Sequence, residues 1–253
     1  MQAVSVSEHN MIQIAVTVLR KGGVVVYPTE TSYGLGGDWT NPRVHEKVRR
    51  IKQRPAEKQL PVIVSTHAIA AQYVEFFPLA RKLAHTFWPG PLSLVLPLKR
   101  HTLSSKKSSG FFRFSPLLGG ETQRQQVPLP KKGEARLLTP GGEGEGVGGA
   151  LSLRISSHPI AQKLARGLGR PIIATSANIS GGENLYSAAA VVREFQRRKH
   201  RPDLIIDAGT LPRRKPSTII QVHLDGEMDV LRRGPIPISK LKAQISKPQL
   251  KTR

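Results

Sequence analysis

The chain has 253 residues, 38% of them hydrophobic, no cysteine, and a formal net charge of +22 at pH 7. The lack of cysteine excludes a disulfide framework and a thiolate metal site, and the absence of a secretory leader or a long apolar span predicts a soluble, cytoplasmic protein without membrane contact. The charge favours a polyanionic partner, either nucleic acid or nucleotide phosphate, although a general effect on solubility explains it equally well.

The predicted elements begin with a helix over residues 5–20, where Ser5 and Glu8 have the spacing of a capping box. A buried strand starting at Val24 follows, and a second helix begins at Asn41. Further strands are predicted at 60–65, 92–97, 151–155, 171–175, 204–207, 217–222 and 228–232, and further helices near 67–75, 78–87, 158–168 and 187–198. This alternation of helices and strands predicts a layered α/β domain.

Residues 101–150 interrupt the pattern. The segment is rich in Gly, Ser, Pro and Lys and contains the runs SSKKSSG and GGEGEGVGG. Such a composition buries too little surface to offset the chain entropy, so we predict a disordered insert. It is either a tolerated surface insertion or a segment that guides RNA or covers the site. The predicted domain spans residues 1–236 around this insert, and residues 237–253 form a basic C-terminal tail.

The most informative segment is VVVYPTETSYGLGGD, residues 24–38. Its apolar start is typical of a buried strand, and Thr29, Thr31 and Tyr33 fall at the strand exit, where their hydroxyl groups are expected to be free to face a ligand. The three glycines that follow let the backbone approach a bound group closely. A simple glycine-rich turn is the alternative.

Seven further motifs follow in order: KQRP (52–55), FWPGPLSLVLP (87–97), LRISSHPIA (153–161), PIIATSANISGG (171–182), DLIIDAG (203–209), PSTIIQV (216–222) and VLRRGPI (230–236). Together with the first segment they resemble the YrdC/Sua5 family, the threonylcarbamoyl-AMP synthases that begin the t6A37 modification of tRNA. The resemblance covers most of residues 8–100 and 151–236.

The resemblance implies one domain with a twisted sheet of mixed parallel and antiparallel strands and helices packed on it. It also implies an enzyme that condenses L-threonine, bicarbonate and ATP into threonylcarbamoyl-AMP and pyrophosphate. No covalent enzyme intermediate is needed, so catalysis would rest on positioning and charge neutralisation. Mg²⁺ is expected with ATP, held by phosphate oxygens and water. The expected partners are downstream threonylcarbamoyl-transferase proteins, and direct binding of tRNA is left open.

Lys52 and Arg54 match the family's KxR motif, which implies that they contact the ATP phosphates and act as the catalytic cations. Two positions apart at a helix end, they can face the same phosphates, the lysine as a point charge and the arginine as a bidentate fork. We expect both side chains to be exposed, so that substituting either leaves folding intact. A solvated basic face is the alternative, because Arg49, Arg50 and Lys58 lie nearby.

The remaining candidates lie at the ends of apolar runs. A charge at Arg154 needs either a ligand or an ion-pair partner, and Asn178 either faces a ligand or forms an Asx turn. By resemblance, threonine contacts Thr29, Thr31, Arg154 and Ser217, and ATP contacts Lys52, Arg54, Ser176, Asn178 and Arg232. The neighbouring Arg233 leaves open which of the two arginines reaches the phosphates. No protein metal site is predicted, because His67, His85 and His158 lack ligand spacing and are expected at the surface or near helix caps.

Two other functions compete with this interpretation. A non-catalytic RNA-binding protein of the same fold would account for the net charge and for the basic run at 197–201. The second competing function is that of a domain that makes a carbamoyl adenylate in hydrogenase maturation. That context normally brings Cys-rich zinc modules, for which a chain without cysteine has no room.

Overall fold

A computed structural model describes residues 8–56, 58–99 and 149–245. The predicted capping residue Ser5, most of the predicted insert (101–148) and the end of the predicted tail (246–253) lie outside the described residues.

The first predicted helix is confirmed as α1, Glu8–Arg20. Its apolar residues Ile12, Val16 and Leu19 recur at helical spacing and are buried on one face. The chain leaves the helix at Gly22, whose φ of 78° lies in the left-handed region that glycine adopts readily.

Most of the other elements follow the predicted order with shifted ends, and the structure adds a strand at Tyr33–Gly36 and a helix at Ile238–Ile245. The further helices are α2 Pro42–Lys52, α3 His67–Tyr73, α4 Pro78–Phe87, α5 Pro159–Leu168, α6 Ala188–Phe195 and α7 Ile238–Ile245. The strands are β1 Val25–Pro28, β2 Tyr33–Gly36, β3 Val62–Ile63, β4 Leu92–Pro97, β5 Ala150–Arg154, β6 Ile172–Ile173, β7 Thr175–Ser176, β8 Leu204–Ile205, β9 Thr218–Val222 and β10 Met228–Arg232. The Asn41 side chain caps α2 by accepting from the Arg43 N–H at 3.0 Å.

The strands form two mixed sheets. The smaller has the order β7-β2-β1-β8, in which β1 pairs parallel with β8 and the other pairs are antiparallel. The larger has the order β10-β9-β4-β5-β3-β6, with β4 parallel to β9 and β3 parallel to β5. The expected mixed α/β architecture with packed helices is therefore confirmed.

The segment 171–175, which was predicted as a single strand, is divided between the two sheets. Ile172 and Ile173 pair with β3 in the larger sheet, whereas Thr175 and Ser176 pair with β2 in the smaller one. Between them the Ala174 N–H donates to the Pro61 carbonyl at 2.7 Å. One continuous segment of chain therefore joins the two sheets.

Strand β1 is buried on both faces, which explains its unbroken apolar run. Val25 and Tyr27 pack with α1 and α5, while Val24 and Val26 pack with residues of α2 and α6. A third cluster lies between the larger sheet and helices α3, α4 and α7. Helices thus cover the sheets and leave the strand ends to build a site.

Part of the segment predicted as a basic tail forms the helix α7 instead. Leu241 is fully buried in the cluster beside α4, and the Lys82 ammonium donates to the Gln244 carbonyl at 2.5 Å. None of the helices in the described parts of the chain is long and apolar enough to cross a membrane.

Candidate functional site

A cavity of about 560 Å³ lies where strand ends of the two sheets face each other. Its wall contains seven of the nine predicted site residues: Thr29, Thr31, Arg54, Arg154, Ser176, Ser217 and Arg232. The structure therefore brings together residues that are up to 203 positions apart in the chain, from Thr29 to Arg232. Lys52 and Asn178 are absent from the described lining and lie behind it.

The turn between β1 and β2 presents the first pair of hydroxyl groups. Thr29 is buried, and its hydroxyl group donates to the Ser32 carbonyl at 2.7 Å and lies 3.0 Å from the Thr31 hydroxyl oxygen. Thr31 is only partly buried. Thr29 thus shapes the turn, and Thr31 is the more accessible of the two.

The expectation of a free hydroxyl group on Tyr33 is wrong. Tyr33 is fully buried, its hydroxyl group donates to the Gly209 carbonyl at 2.9 Å, and it accepts from the Ala208 N–H at 2.9 Å. Burial raises the pKa of this phenol. Because both bonds reach the loop after β8, Tyr33 fixes that loop against β2.

Arg154 satisfies both interpretations left open by the sequence, since it lines the cavity and also has an ion-pair partner. Its Nε lies 3.0 Å from a carboxylate oxygen of Glu30, and the two side chains are only 8% and 6% exposed. The other carboxylate oxygen of Glu30 accepts from the Ser156 hydroxyl group. Sequence reasoning missed Glu30, although a buried arginine needs a counter-charge and Glu30 stands between the two predicted threonines.

Lys52 is buried, contrary to the expectation of an exposed helix-end side chain. The residue is 1% exposed, and its ammonium group donates to the carbonyl oxygens of Ser176 and Asn178, the latter at 2.6 Å. Burial, with a smaller contribution from Arg54, lowers the pKa of Lys52 to about 7. The last turn of α2 points toward the segment after β7, so a substitution at Lys52 changes buried contacts as well as charge.

Asn178 supports its own loop. It is 5% exposed, and its side-chain amide donates to the carbonyl oxygens of Ile179 at 2.9 Å and Gly182 at 2.5 Å. This geometry matches the loop-capping alternative rather than direct contact with a ligand. Lys52 and Asn178 together fix the segment that carries Ser176 to the cavity wall.

Arg54, in the segment after α2, and Arg232, at the end of β10, both line the cavity. Arg54 is partly buried and donates from Nη2 to the Gln59 carbonyl at 2.9 Å. Arg232 donates from Nε and Nη2 to the carbonyl and hydroxyl oxygens of Ser217, both at 2.9 Å. Arg232, and not Arg233, belongs to the described lining.

Two serines on the cavity floor were not predicted. The Ser93 hydroxyl oxygen on β4 lies 3.1 Å from that of Ser217, and the buried Ser152 hydroxyl group on β5 has no hydrogen-bond partner within the described residues. The sequence signal that could have identified them is the serine inside each of the apolar runs LSLVLP and LSLR. Both hydroxyl groups can donate to a polar ligand.

The histidines hold structural positions. His158 caps α5 by accepting from the Ile160 N–H at 3.3 Å, and His67 opens α3 directly after its cap Thr66. The cavity lining in the described ranges includes no carboxylate, and the same part of the chain holds no group of three or more potential metal ligands. The described lining therefore offers a metal ion no carboxylate ligand.

Four cations line the cavity: Arg54, Lys58, Arg154 and Arg232. Glu30 pairs with Arg154 from outside the described lining, whereas Arg54, Lys58 and Arg232 have no carboxylate beside them among the described lining residues. With hydroxyl groups between these cations, the wall suits an anionic ligand. The fold and the cavity thus define an α/β protein with a basic, hydroxyl-lined binding site at its strand ends.

The chain matches the model of the Sua5, YciO and YrdC proteins, described as "Telomere recombination", over residues 17–112 and 145–234. It therefore belongs to the Sua5/YciO/YrdC family. It is 31% identical over 205 residues to a threonylcarbamoyl-AMP synthase of Idiomarina loihiensis, covering 79% of this chain and 87% of that protein. A protein of the same name from Photobacterium profundum is 31% identical over 173 residues, covering 67% and 73% of the two chains. Both names support an enzyme of this family.

Solved structures agree in fold. Sua5 of P. abyssi complexed with L-threonine has a TM-score of 0.70 and 27% identity, with 96% of this chain covered but 59% of that chain. E. coli YciO has a TM-score of 0.68 and 25% identity, with 94% and 95% covered. The chain thus spans less than three fifths of the P. abyssi Sua5 chain.

Proposed function

We propose that the protein is a threonylcarbamoyl-AMP synthase. It would condense L-threonine, bicarbonate and ATP into threonylcarbamoyl-AMP and pyrophosphate for the t6A37 modification of tRNA. The observation that carries the proposal is the cavity wall, where four cations and a row of hydroxyl groups converge without a carboxylate among the described lining residues. Two of the three substrates, ATP and bicarbonate, are anions, and the third carries a carboxylate.

Threonine is assigned to the part of the cavity formed by Thr29, Thr31, Arg154 and Ser217. A carboxylate oxygen of Glu30 lies 3.0 Å from the Nε of Arg154, and the terminal guanidinium nitrogens are assigned to the threonine carboxylate. The Thr31 hydroxyl group, less buried than that of Thr29, is the better partner for a polar substrate atom.

ATP is assigned to Arg54, Ser176 and Arg232, which line the cavity from the segment after α2, from β7 and from β10. Lys52 and Asn178 act on ATP by positioning, because both hold the segment after β7 from behind the wall. Mg²⁺ would enter with the phosphates and be held by them and by water, since the described lining offers it no carboxylate.

The chemistry follows from placing these groups together. The uncharged threonine amine adds to the carbon of carbon dioxide and releases a proton to solvent, or adds to bicarbonate with loss of water, and either route gives a carbamate. A carbamate oxygen then attacks the α-phosphorus of ATP. The bond from that phosphorus to the bridging oxygen breaks, and pyrophosphate leaves with the electron pair. Arg54 and Arg232 stabilise the charge that develops on the phosphate oxygens. The adenylate would pass in the cytoplasm to threonylcarbamoyl-transferase proteins.

The test incubates the purified full chain with ATP, threonine and labelled bicarbonate, and follows labelled adenylate and pyrophosphate. We expect both products to form only when threonine is present. Arg232→Gln should lower adenylate formation about 100-fold, the usual cost of losing one donor to transition-state charge. Arg233→Gln is the matched control, because it removes the same charge one position outside the described lining, and should stay near the wild-type rate.

A non-catalytic RNA-binding protein of the same fold is the second candidate, favoured by the net charge of +22. It predicts that the wild-type chain binds RNA but yields no labelled adenylate under any of these conditions. That result would overturn the proposed activity.

A further inference from the structure

A second concentration of charge lies on the outer side of α2. The residues Arg43, Glu46, Lys47, Arg50, Ile51, Lys199, His200 and Arg201 line an open groove of about 380 Å³, here called the basic groove. Helix α2 forms one side, and the turn after α6 forms the other. The basic groove shares no described lining residue with the cavity.

The carboxylates near the basic groove are too few to neutralise it. Glu46 pairs with Arg50, and Asp203 pairs with Lys47 at 2.6 Å. Arg43 and Lys199 have no ion pair in the described part of the chain, and Arg201 makes only a long hydrogen bond of 3.4 Å to the Gln196 carbonyl. All three of these cations are exposed. They are available to an anion from outside.

The cations are spaced for an extended anion rather than a single one. Arg43, Lys47 and Arg50 recur at positions i, i+4 and i+7, so they lie along one face of α2 over about 10 Å. Lys47 and Arg50 are also paired with Asp203 and Glu46, so the cations without an ion pair among the described residues of the groove are Arg43 on α2 and, on the facing turn, Lys199 and Arg201. The turn carrying Lys199 and Arg201 runs beside them. A nucleic acid strand places one phosphate about every 3.4 Å of its axis, so several phosphates can meet this face.

The composition of the basic groove favours nucleic acid over other polyanionic partners. Protein interfaces have cores enriched in aromatic and apolar residues and depleted of charge, and membrane-surface helices insert an apolar face. The one apolar residue in the described lining is Ile51, which is 2% exposed and belongs to the core. The basic groove therefore offers charge without an exposed apolar surface.

We propose that the basic groove is a docking surface for the phosphate backbone of RNA. Binding is independent of sequence, because arginine and lysine at an outer helix face neutralise phosphates without reading base edges. The choice of RNA over DNA rests on the proposed function, whose product serves tRNA. Helix α2 ends next to the residues that lead into the cavity at Arg54, so RNA docked here lies beside the site and leaves the cavity free.

The experiment measures fluorescence anisotropy of a labelled RNA duplex with the full chain between about 50 and 200 mM salt. The groove variant combines Arg43→Gln, Lys199→Gln and Arg201→Gln. We expect its dissociation constant to rise at least 10-fold at the lower salt, and the slope of log affinity against log salt to fall by about 2 to 3, because each neutralised phosphate contributes about 0.9.

The matched control variant combines Arg81→Gln, Arg166→Gln and Lys240→Gln, which removes the same charge from exposed positions outside the basic groove. Its dissociation constant should change less than about 3-fold, with an unchanged slope. Equal losses in both variants would mean that net charge alone binds RNA, and would overturn the proposal. So would a groove variant that keeps its RNA affinity but no longer binds vesicles of phosphatidylserine and phosphatidylcholine.

Adenylate formation is measured in parallel without RNA. The groove variant should keep the wild-type rate, since it leaves the cavity residues untouched. A chain that binds RNA through the basic groove but makes no adenylate would refute the proposed activity and leave this surface standing.

Discussion

Glu30 and Arg154 form a buried ion pair at the edge of the cavity, and a second pair, Glu46 and Arg50, lies on the surface. The side chains of the first pair are 8% exposed or less, and those of the second are more than 60% exposed. The same kind of Glu–Arg ion pair therefore occurs once in a buried position and once exposed to solvent. Removing one partner of a buried pair leaves an uncompensated charge, whereas an exposed charge is solvated.

We expect Glu30→Ala to lower the free energy of unfolding by about 3 kcal/mol or more, because Arg154 is left buried without a partner. Glu46→Ala is the matched control and should cost less than about 1 kcal/mol. Urea unfolding followed by circular dichroism measures both. Similar losses for the two variants would show that the Glu30 pair is solvated like the surface pair.

The buried ammonium group of Lys52 predicts a pH dependence of stability. Its pKa falls from 10.5 to about 7 in the folded protein, so between these pH values the unfolded chain holds a proton that the folded chain releases. The unfolded state then binds more protons, and the free energy of unfolding rises with pH. The rise is at most about 1.4 kcal/mol per pH unit, because the two states differ by at most one proton at this group.

The measurement compares urea unfolding of the wild type and Lys52→Met from pH 7 to 10. We expect the wild type to gain stability relative to the variant across this window. Burial raises the pKa of Tyr27, Tyr33 and Tyr73, and because these tyrosines are present in both proteins their contribution cancels in the comparison. Parallel stability curves would mean that Lys52 keeps its proton in the folded state.

For single residues, the sequence could predict which side chains come together at the candidate site, but not which of them face the ligand. Arg154 was identified with its need for a partner, because a charge in an apolar strand is informative by itself. The burial of Lys52 could not be predicted, since it depends on the segment after β7, more than 120 residues away. The hydroxyl group of Tyr33 is engaged for the same reason, through the distant loop at Ala208 and Gly209.

Among the elements, β2 packs against the larger sheet at a point where only glycine fits. A Cβ atom on Gly36 would lie 1.5 Å from the Ile173 carbonyl oxygen, which is backbone and cannot turn aside. We expect Gly36→Ala to lower the free energy of unfolding by more than about 3 kcal/mol, beyond the usual range for overpacking.

Gly149→Ala is the control for that substitution, because its Cβ would lie 3.6 Å from a methyl carbon of Leu98, an ordinary contact. Its effect should stay within about 0.5 kcal/mol. Thermal unfolding of both variants gives the comparison. A Gly36→Ala protein as stable as the control would show that β2 can move away from β6 without penalty.

Helices and strands were predicted correctly where the apolar pattern of the segment itself determines the element. The prediction failed where contacts with distant parts of the chain determine it. Helices α1 and α2 carry apolar faces and end signals in their own sequences. The segment at 171–175 has one continuous apolar pattern, yet its residues pair with different strands on either side of Ala174. Helix α7 was missed because Leu241 is a single strongly buried position in a basic stretch, and its partner surface on α4 lies elsewhere in the chain.

For the molecule as a whole, β4 and β5 pair as an antiparallel hairpin whose ends meet. Pro97 pairs with Ala150, and the Leu98 N–H donates to the Gly149 carbonyl at 2.8 Å. Two chain ends this close can be joined by a short turn. Replacing residues 101–148 with a brief Gly/Ser linker between Arg100 and Gly149 is therefore compatible with the hairpin.

We expect this deletion to leave the melting temperature within a few degrees and adenylate formation nearly unchanged, because closure entropy of a flexible loop changes by only about 0.6 kcal/mol per doubling of length. Differential scanning calorimetry and the labelled-bicarbonate assay measure the two quantities. Loss of turnover with an unchanged melting temperature would assign the segment a part in the chemistry, as a cover over the nucleotide.

The place of β4 in the larger sheet has a consequence for synthesis on the ribosome. The strand lies between β5 and β9, and Leu92 pairs with Thr218. At about 5 to 20 residues per second, Thr218 is made roughly 6 to 25 s after Leu92, and until then one edge of this apolar strand has no partner. The nascent chain therefore carries an unpaired apolar strand edge during this time, and the length of the segment between Leu98 and Gly149 adds directly to that delay.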